Sequence, residues 1–136
     1  MKYPVSVSCQ CGGVQYQLLA EPLMVVACHC RECQKLSTSA FSITAVVAAD
    51  AIRFQGEMSE WSRVAESGNV NGAKFCPTCG NRIYHFNPAD PEKIKLKPST
   101  LTDTSIINPI AHVWVSEKQD WYTIPEGVDV YEKQPW

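Results

Sequence analysis

A chain of 136 residues has the length of one ordinary domain, and a composition of 45% hydrophobic and only 19% charged residues is too apolar for a disordered polymer. Twelve Lys and Arg against fourteen Asp and Glu leave a formal charge of −2, without the basic excess that phosphate-backbone binding needs, so no nucleic-acid partner is expected. The strongest apolar run, Leu23 to Cys28, is far short of the roughly 20 residues that cross a bilayer. The opening Met1-Lys2-Tyr3-Pro4 also lacks the apolar stretch of a secretory signal, so the expectation is one domain over 1–136, off the membrane and cytoplasmic.

Along the chain the period is mostly two, the signature of strands. Val5 and Val7 alternate with Ser6 and Ser8, and Val14, Tyr16 and Leu18 alternate with Gln15 and Gln17; Cys9-Gln10-Cys11-Gly12-Gly13 between them reads as a hairpin turn carrying two thiols. Met24 to Cys28 is a short apolar strand, and Arg31 to Ser37 has the residues for one or two helical turns. Phe41 to Val47, Ile52 to Gln55 and Glu60 to Val64 follow as strands, and the polar stretch from Ser67 to Gly72 reads as a turn-rich loop leading into Lys74-Phe75-Cys76-Pro77-Thr78-Cys79-Gly80. Arg82 to Phe86 and Ile110 to Val115 are further strands. In Lys93-Ile94-Lys95-Leu96-Lys97 the apolar residues face inward and the lysines form a solvated face or, failing that, a strip for carboxylates. Trp61, Trp114, Trp121 and Trp136 are read as core or cover, and Trp121 to Trp136 as a tail laid over the core. The fold class expected is mainly β: several small, coiled antiparallel sheets with little helix.

The informative number is seven Cys, each within three residues of another: Cys9 with Cys11, Cys28 with Cys30 and Cys33, and Cys76 with Cys79. An odd count without an export signal points to thiolate chemistry in a reducing compartment rather than to a disulfide framework. Zinc accepts thiolates in a tetrahedron, and a pair cannot saturate it alone. The simplest partition therefore puts Cys9, Cys11, Cys76 and Cys79 around one structural ion and Cys28, Cys30 and Cys33 around a second with an open position, two ions per chain. Three thiolates on Zn²⁺ carry a net charge of −1 against −2 for four, so the second ion stays the better Lewis acid and can ionise an incoming thiol.

Two alternatives stay open at this stage. The triad could be a second closed site completed by His85 or His112, His29 being too tightly tethered between Cys28 and Cys30. It could also do redox work as bare thiols. Ser37, Thr38 and Ser39 could donate hydrogen bonds near the triad or satisfy their own backbone.

Cys9-x-Cys11-Gly12, Cys28-His29-Cys30-x-x-Cys33 and Phe75-Cys76-x-x-Cys79-Gly80, in this order, with Ile110-x-His112-x-Trp114 and Trp121 beyond them, resemble the glutathione-dependent formaldehyde-activating enzyme family. The resemblance implies a β-rich, Mss4-like zinc fold with a four-thiolate structural zinc on Cys9, Cys11, Cys76 and Cys79 and a catalytic zinc on Cys28, Cys30 and Cys33. It also implies condensation of glutathione with formaldehyde to S-hydroxymethylglutathione, in reverse a carbon–sulfur lyase reaction. The partner is then a small thiol such as glutathione. Competing readings are a zinc-stabilised protein-binding module without chemistry and a thiol redox sensor. Three positions beside the cysteine blocks depart from the family's habit: Thr38 where Gly is frequent, Lys74 in place of Arg, and Asn81 in place of Ser or Thr.

Overall fold

The computed structural model describes residues 3–98, 101 and 104–135, so Met1, Lys2 and Trp136 lie outside the described residues. The strands are β1 (Val5–Ser8), β2 (Gln15–Leu18), β3 (Met24–Cys28), β4 (Ser42–Ala48), β5 (Ile52–Gln55), β6 (Ser59–Val64), β7 (Val70–Phe75), β8 (Arg82–Phe86), β9 (Lys93–Leu96), β10 (Ala111–Val113) and β11 (Asp129–Val130). Among the described residues one α-helix, α1 (Arg31–Ser37), joins β3 to β4. The mainly β, helix-poor class expected from the alternating pattern is what forms.

The strands make two sheets, a three-stranded one ordered β1-β2-β5 and an eight-stranded one ordered β11-β10-β3-β4-β9-β8-β7-β6. The larger sheet extends beyond the small antiparallel units expected, because β10 adds parallel to β3 and β11 parallel to β10, pairings that only the long return of the chain can bring about. Val7, Tyr16, Leu18 and Ile52 of the small sheet pack on Val25, Ala45, Val47 and Leu96 of the large one, with Leu18, Val47 and Leu96 fully buried. Ala45 and Val47 point into this core, so their alternates Ser42 and Thr44 lie on the opposite face of the large sheet. That outer face is where the second cysteine cluster forms.

Two local features set the geometry of that face. Lys74 pairs with Tyr84 but its neighbour Phe75 pairs with Arg82, so Ile83 is an extra residue in β8, a β-bulge. The bulge reverses the alternation and turns Arg82 to the same face as His85. The second feature corrects the reading of residues 67–72 as loop: Val70–Phe75 is strand. Gly72 is tolerated there because the Phe86 ring of β8 occupies the space that a Cβ would need.

Candidate metal centres

The four-cysteine cluster joins the two sheets. Cys9 and Cys11 sit in the β1–β2 turn, where Gly12 takes a positive φ of 80° and Gly13 leaves room for sulfur, a Cβ there falling 3.3 Å from Cys11 Sγ. Cys76 and Cys79 sit in the β7–β8 turn, closed by Gly80 at φ 78° with its N–H bonded to Cys76 O at 3.0 Å. The sulfurs lie 3.7 Å apart for Cys9 and Cys11 and 3.6 Å for Cys11 and Cys76, with all four within 4.8 Å of one another. A tetrahedron with metal–sulfur bonds of about 2.3 Å has edges of about 3.8 Å, so this cluster has the dimensions of a thiolate-bound ion and not of a disulfide. The backbone amides of Gly13, Val14, Thr78 and Cys79 donate to its sulfurs at 3.3–3.4 Å. Asn81 ties the two turns by accepting the Gln10 N–H on Oδ1 at 2.7 Å. Burial opposes ionisation of Cys9, yet the Val14 N–H and the neighbouring sulfurs bring it down to about 6.

The three-cysteine cluster is local in sequence. Cys28 ends β3, Cys30 caps α1 by accepting the Cys33 N–H on its sulfur at 3.4 Å, and Cys33 follows one turn on. The three sulfurs are within 4.8 Å of one another, and among the described residues no fourth Cys, His, Asp or Glu joins them. Sulfurs this close oppose one another's ionisation: Cys30 and then Cys33 push Cys28 far up, while Cys28 and then Cys30 hold Cys33 down. A divalent cation among them removes that conflict by deprotonating the thiols it binds. The donor sets therefore fit soft, thiolate-preferring ions of the zinc type at both clusters.

The histidine alternatives resolve by position. His29 Nε2 and His112 Nδ1 are bonded at 2.8 Å on the other side of β3, among the rings of Phe41 and Tyr122. Burial, then His112 and Lys118, lowers His29 to about 4, so it stays neutral near pH 7. His85 lies on the triad's face, but its ring is not part of the sulfur group.

Sequence reasoning missed the charged surroundings of the triad. Lys97 does not belong to a solvated lysine face: its ammonium is buried and donates to Ser42 Oγ at 3.2 Å and Thr44 Oγ1 at 2.8 Å. Burial pushes its pKa down, and the sulfurs of Cys33, Cys28 and Cys30 push it back up. The three-cysteine cluster is thus balanced by a buried cation, where the four-cysteine cluster is balanced by backbone amides. Alternation placed Lys97 opposite Leu96, but only the packing of α1 over that face shows that it is covered. Trp61 and Trp121, read as core or cover, are 51% and 72% exposed, whereas Trp114 is half-buried beneath Lys133, 5.6 Å from its ring. Thr38, at the frequent Gly position, takes the left-handed conformation (φ 49°, ψ 47°) that closes α1, which is the conformation glycine adopts without strain.

No helix among the described residues is long and apolar enough to cross a membrane. The sequence matches no curated protein. A solved structure of a Rhodobacter sphaeroides protein, a structural-genomics target, superposes with a TM-score of 0.55 at 20% identity over 71% of this chain and 87% of the other, a likeness of fold. The family described as glutathione-dependent formaldehyde-activating enzyme matches residues 4–117, which take in both cysteine clusters, and the chain belongs to that family.

Proposed function

We propose that this chain is a zinc-dependent enzyme that makes and breaks a carbon–sulfur bond between a small thiol and a carbonyl carbon, with glutathione and formaldehyde as the pair that family membership supports. The observation that carries the reading is the contrast between the clusters: four sulfurs held by backbone amides in one, three sulfurs beside a buried ammonium in the other. In this reading Cys9, Cys11, Cys76 and Cys79 hold a structural ion, and Cys28, Cys30 and Cys33 hold the catalytic one. Zinc bound there supplies a Lewis acid that ionises a thiol at neutral pH.

The chain's own groups do the rest. Cys28, Cys30 and Cys33, spread over a strand end and a helix cap, would hold the ion with three protein ligands and so let a substrate atom be the next one. Lys97 compensates the charge that a further thiolate brings into a half-buried site; Ser42 and Thr44 take two of its three N–H donors and fix its direction. The remaining donor can bond the oxygen on which charge develops as sulfur attacks the carbonyl carbon. Holding thiol and carbonyl together contributes by orientation.

The test is two-dimensional exchange NMR on equilibrated formaldehyde, glutathione and their adduct, with no protein, this protein or its Cys30→Ala variant. Exchange faster than the blank and lost in a variant that keeps about one zinc supports the enzyme. Exchange no faster than the blank with both ions present rejects it and leaves the binding module.

A further inference from the structure

The face that carries the triad also carries an arginine that no carboxylate among the described residues meets. Arg82 reaches this face only because Ile83 is an extra residue in β8; in an unbroken ladder it would share the side of Tyr84, whose ring stacks on Phe54 of the small sheet at 4.6 Å. The ion pairs among the described residues engage Lys35, Arg63, Lys74 and Lys133. Arg82 is in none of them, and its Nε is buried with no protein acceptor among the described residues. The guanidinium lies 5.9 Å from the ring centre of Trp61, a tryptophan that stays half exposed on the same face. By register Arg82 shares with His85 the face of the large sheet that carries Ser42, Thr44 and the triad, and the Cys33 sulfur is a charge that acts on it through space. His85, one pleat away, also has a buried ring nitrogen without a partner.

A guanidinium supported by an aromatic ring, half open to solvent and in none of the carboxylate ion pairs among the described residues is a site for a planar anion. Lys97 does not serve this purpose, since Ser42 and Thr44 hold two of its three donors and the third is aimed at the reacting oxygen in the reading above. We propose that Arg82, supported by Trp61, binds a carboxylate of the thiol substrate, so that the site takes carboxylate-bearing thiols in preference to neutral ones. The inference rests on the catalytic reading above, and deepens it by naming what holds the part of the substrate that does not react.

The test separates binding from turnover. Titration calorimetry on the zinc-loaded protein compares S-methylglutathione, which has no thiol to coordinate, with its diethyl ester, which has lost both carboxylate charges. The wild type should bind the acid at least tenfold more tightly than the ester, Arg82→Gln should remove that preference, and Arg82→Lys should retain part of it. Equal binding of acid and ester by the wild type, or undiminished preference in a folded Arg82→Gln variant, overturns the proposal. Should Arg82→Gln fail to fold, Trp61→Ala, at a half-exposed position, should lower the preference severalfold, and an unchanged preference there counts against it. Exchange NMR with 2-mercaptoethanol and formaldehyde isolates the catalytic reading. Acid-selective binding without acceleration of any thiol sinks catalysis and leaves Arg82 an anion site, whereas acceleration of neutral and acidic thiols alike sinks the Arg82 proposal and leaves catalysis.

Discussion

His29 and His112, 83 residues apart in the chain, share a buried hydrogen bond of 2.8 Å between their rings. The bond locks the end of β3 against β10, directly behind the cysteines on either side of His29. His112→Phe keeps an aromatic ring at the position but leaves His29 Nε2 buried without its partner, which costs about 1–3 kcal/mol beside the strain of the larger ring. The expected result is a lower melting temperature with unchanged zinc content. Loss of one zinc in a folded His112→Phe protein would mean that a histidine is a ligand after all.

Lys97→Met removes the cation that balances the three-cysteine cluster and leaves the other cluster untouched. Zinc affinity at the second site should fall by about 10- to 100-fold, the usual consequence of losing an outer partner of a metal site. Competition with a chromophoric chelator measures it, with the tighter ion as an internal reference. An unaltered titration curve would show that Lys97 plays no part in holding the ion.

The clusters should also part with metal differently. Cys9 and Cys11 meet Cys76 and Cys79 across the two sheets, so an ion held there would close a long loop, while the triad spans six residues of one local turn. A chelator is expected to take the triad's ion first with little change in circular dichroism, and the other only as the fold melts, because binding at such a site is folding free energy. Simultaneous release of both ions would contradict this order.

Thr38 sits at φ 49° with a β-branched side chain, a conformation that costs roughly 1–2 kcal/mol, offset in part by the entropy of the glycine that would replace it. Thr38→Gly should therefore stabilise the protein by up to about 1 kcal/mol, readable as a rise of a few degrees in melting temperature. A fall would indicate that the Thr38 side chain makes a compensating contact.

The cysteine clusters were legible because sulfur spacing is a local property, and the partition of seven thiols into four and three follows from counting. Strands with a strict two-residue period, such as Val5–Ser8 and Gln15–Leu18, were legible for the same reason. What escaped depended on contacts between distant segments. Val70-Asn71-Gly72 has the composition of a turn and becomes strand because Phe86 packs over Gly72. Lys97 is indistinguishable in sequence from Lys93 and Lys95, and differs only because its ammonium meets Ser42, Thr44 and the triad. The size of Trp61 suggests core or cover, whereas its half-exposed ring lies under Arg82.

The bulge at Ile83 has a consequence for how such a site changes over time. Ile83 packs with Cys9, Val14 and Cys76 on the side of the closed cluster, while Arg82, the residue before it, is sent to the other side. With Ile83 itself opposite Phe75 the ladder would be even, Arg82 would fall on the side of Tyr84, and the guanidinium would leave the open face with every charged residue of the chain still present. The anion preference proposed for this face is therefore written in the register of β8 as much as in its chemistry, and a relative could lose it through a slip of one residue without a single substitution at the sulfurs.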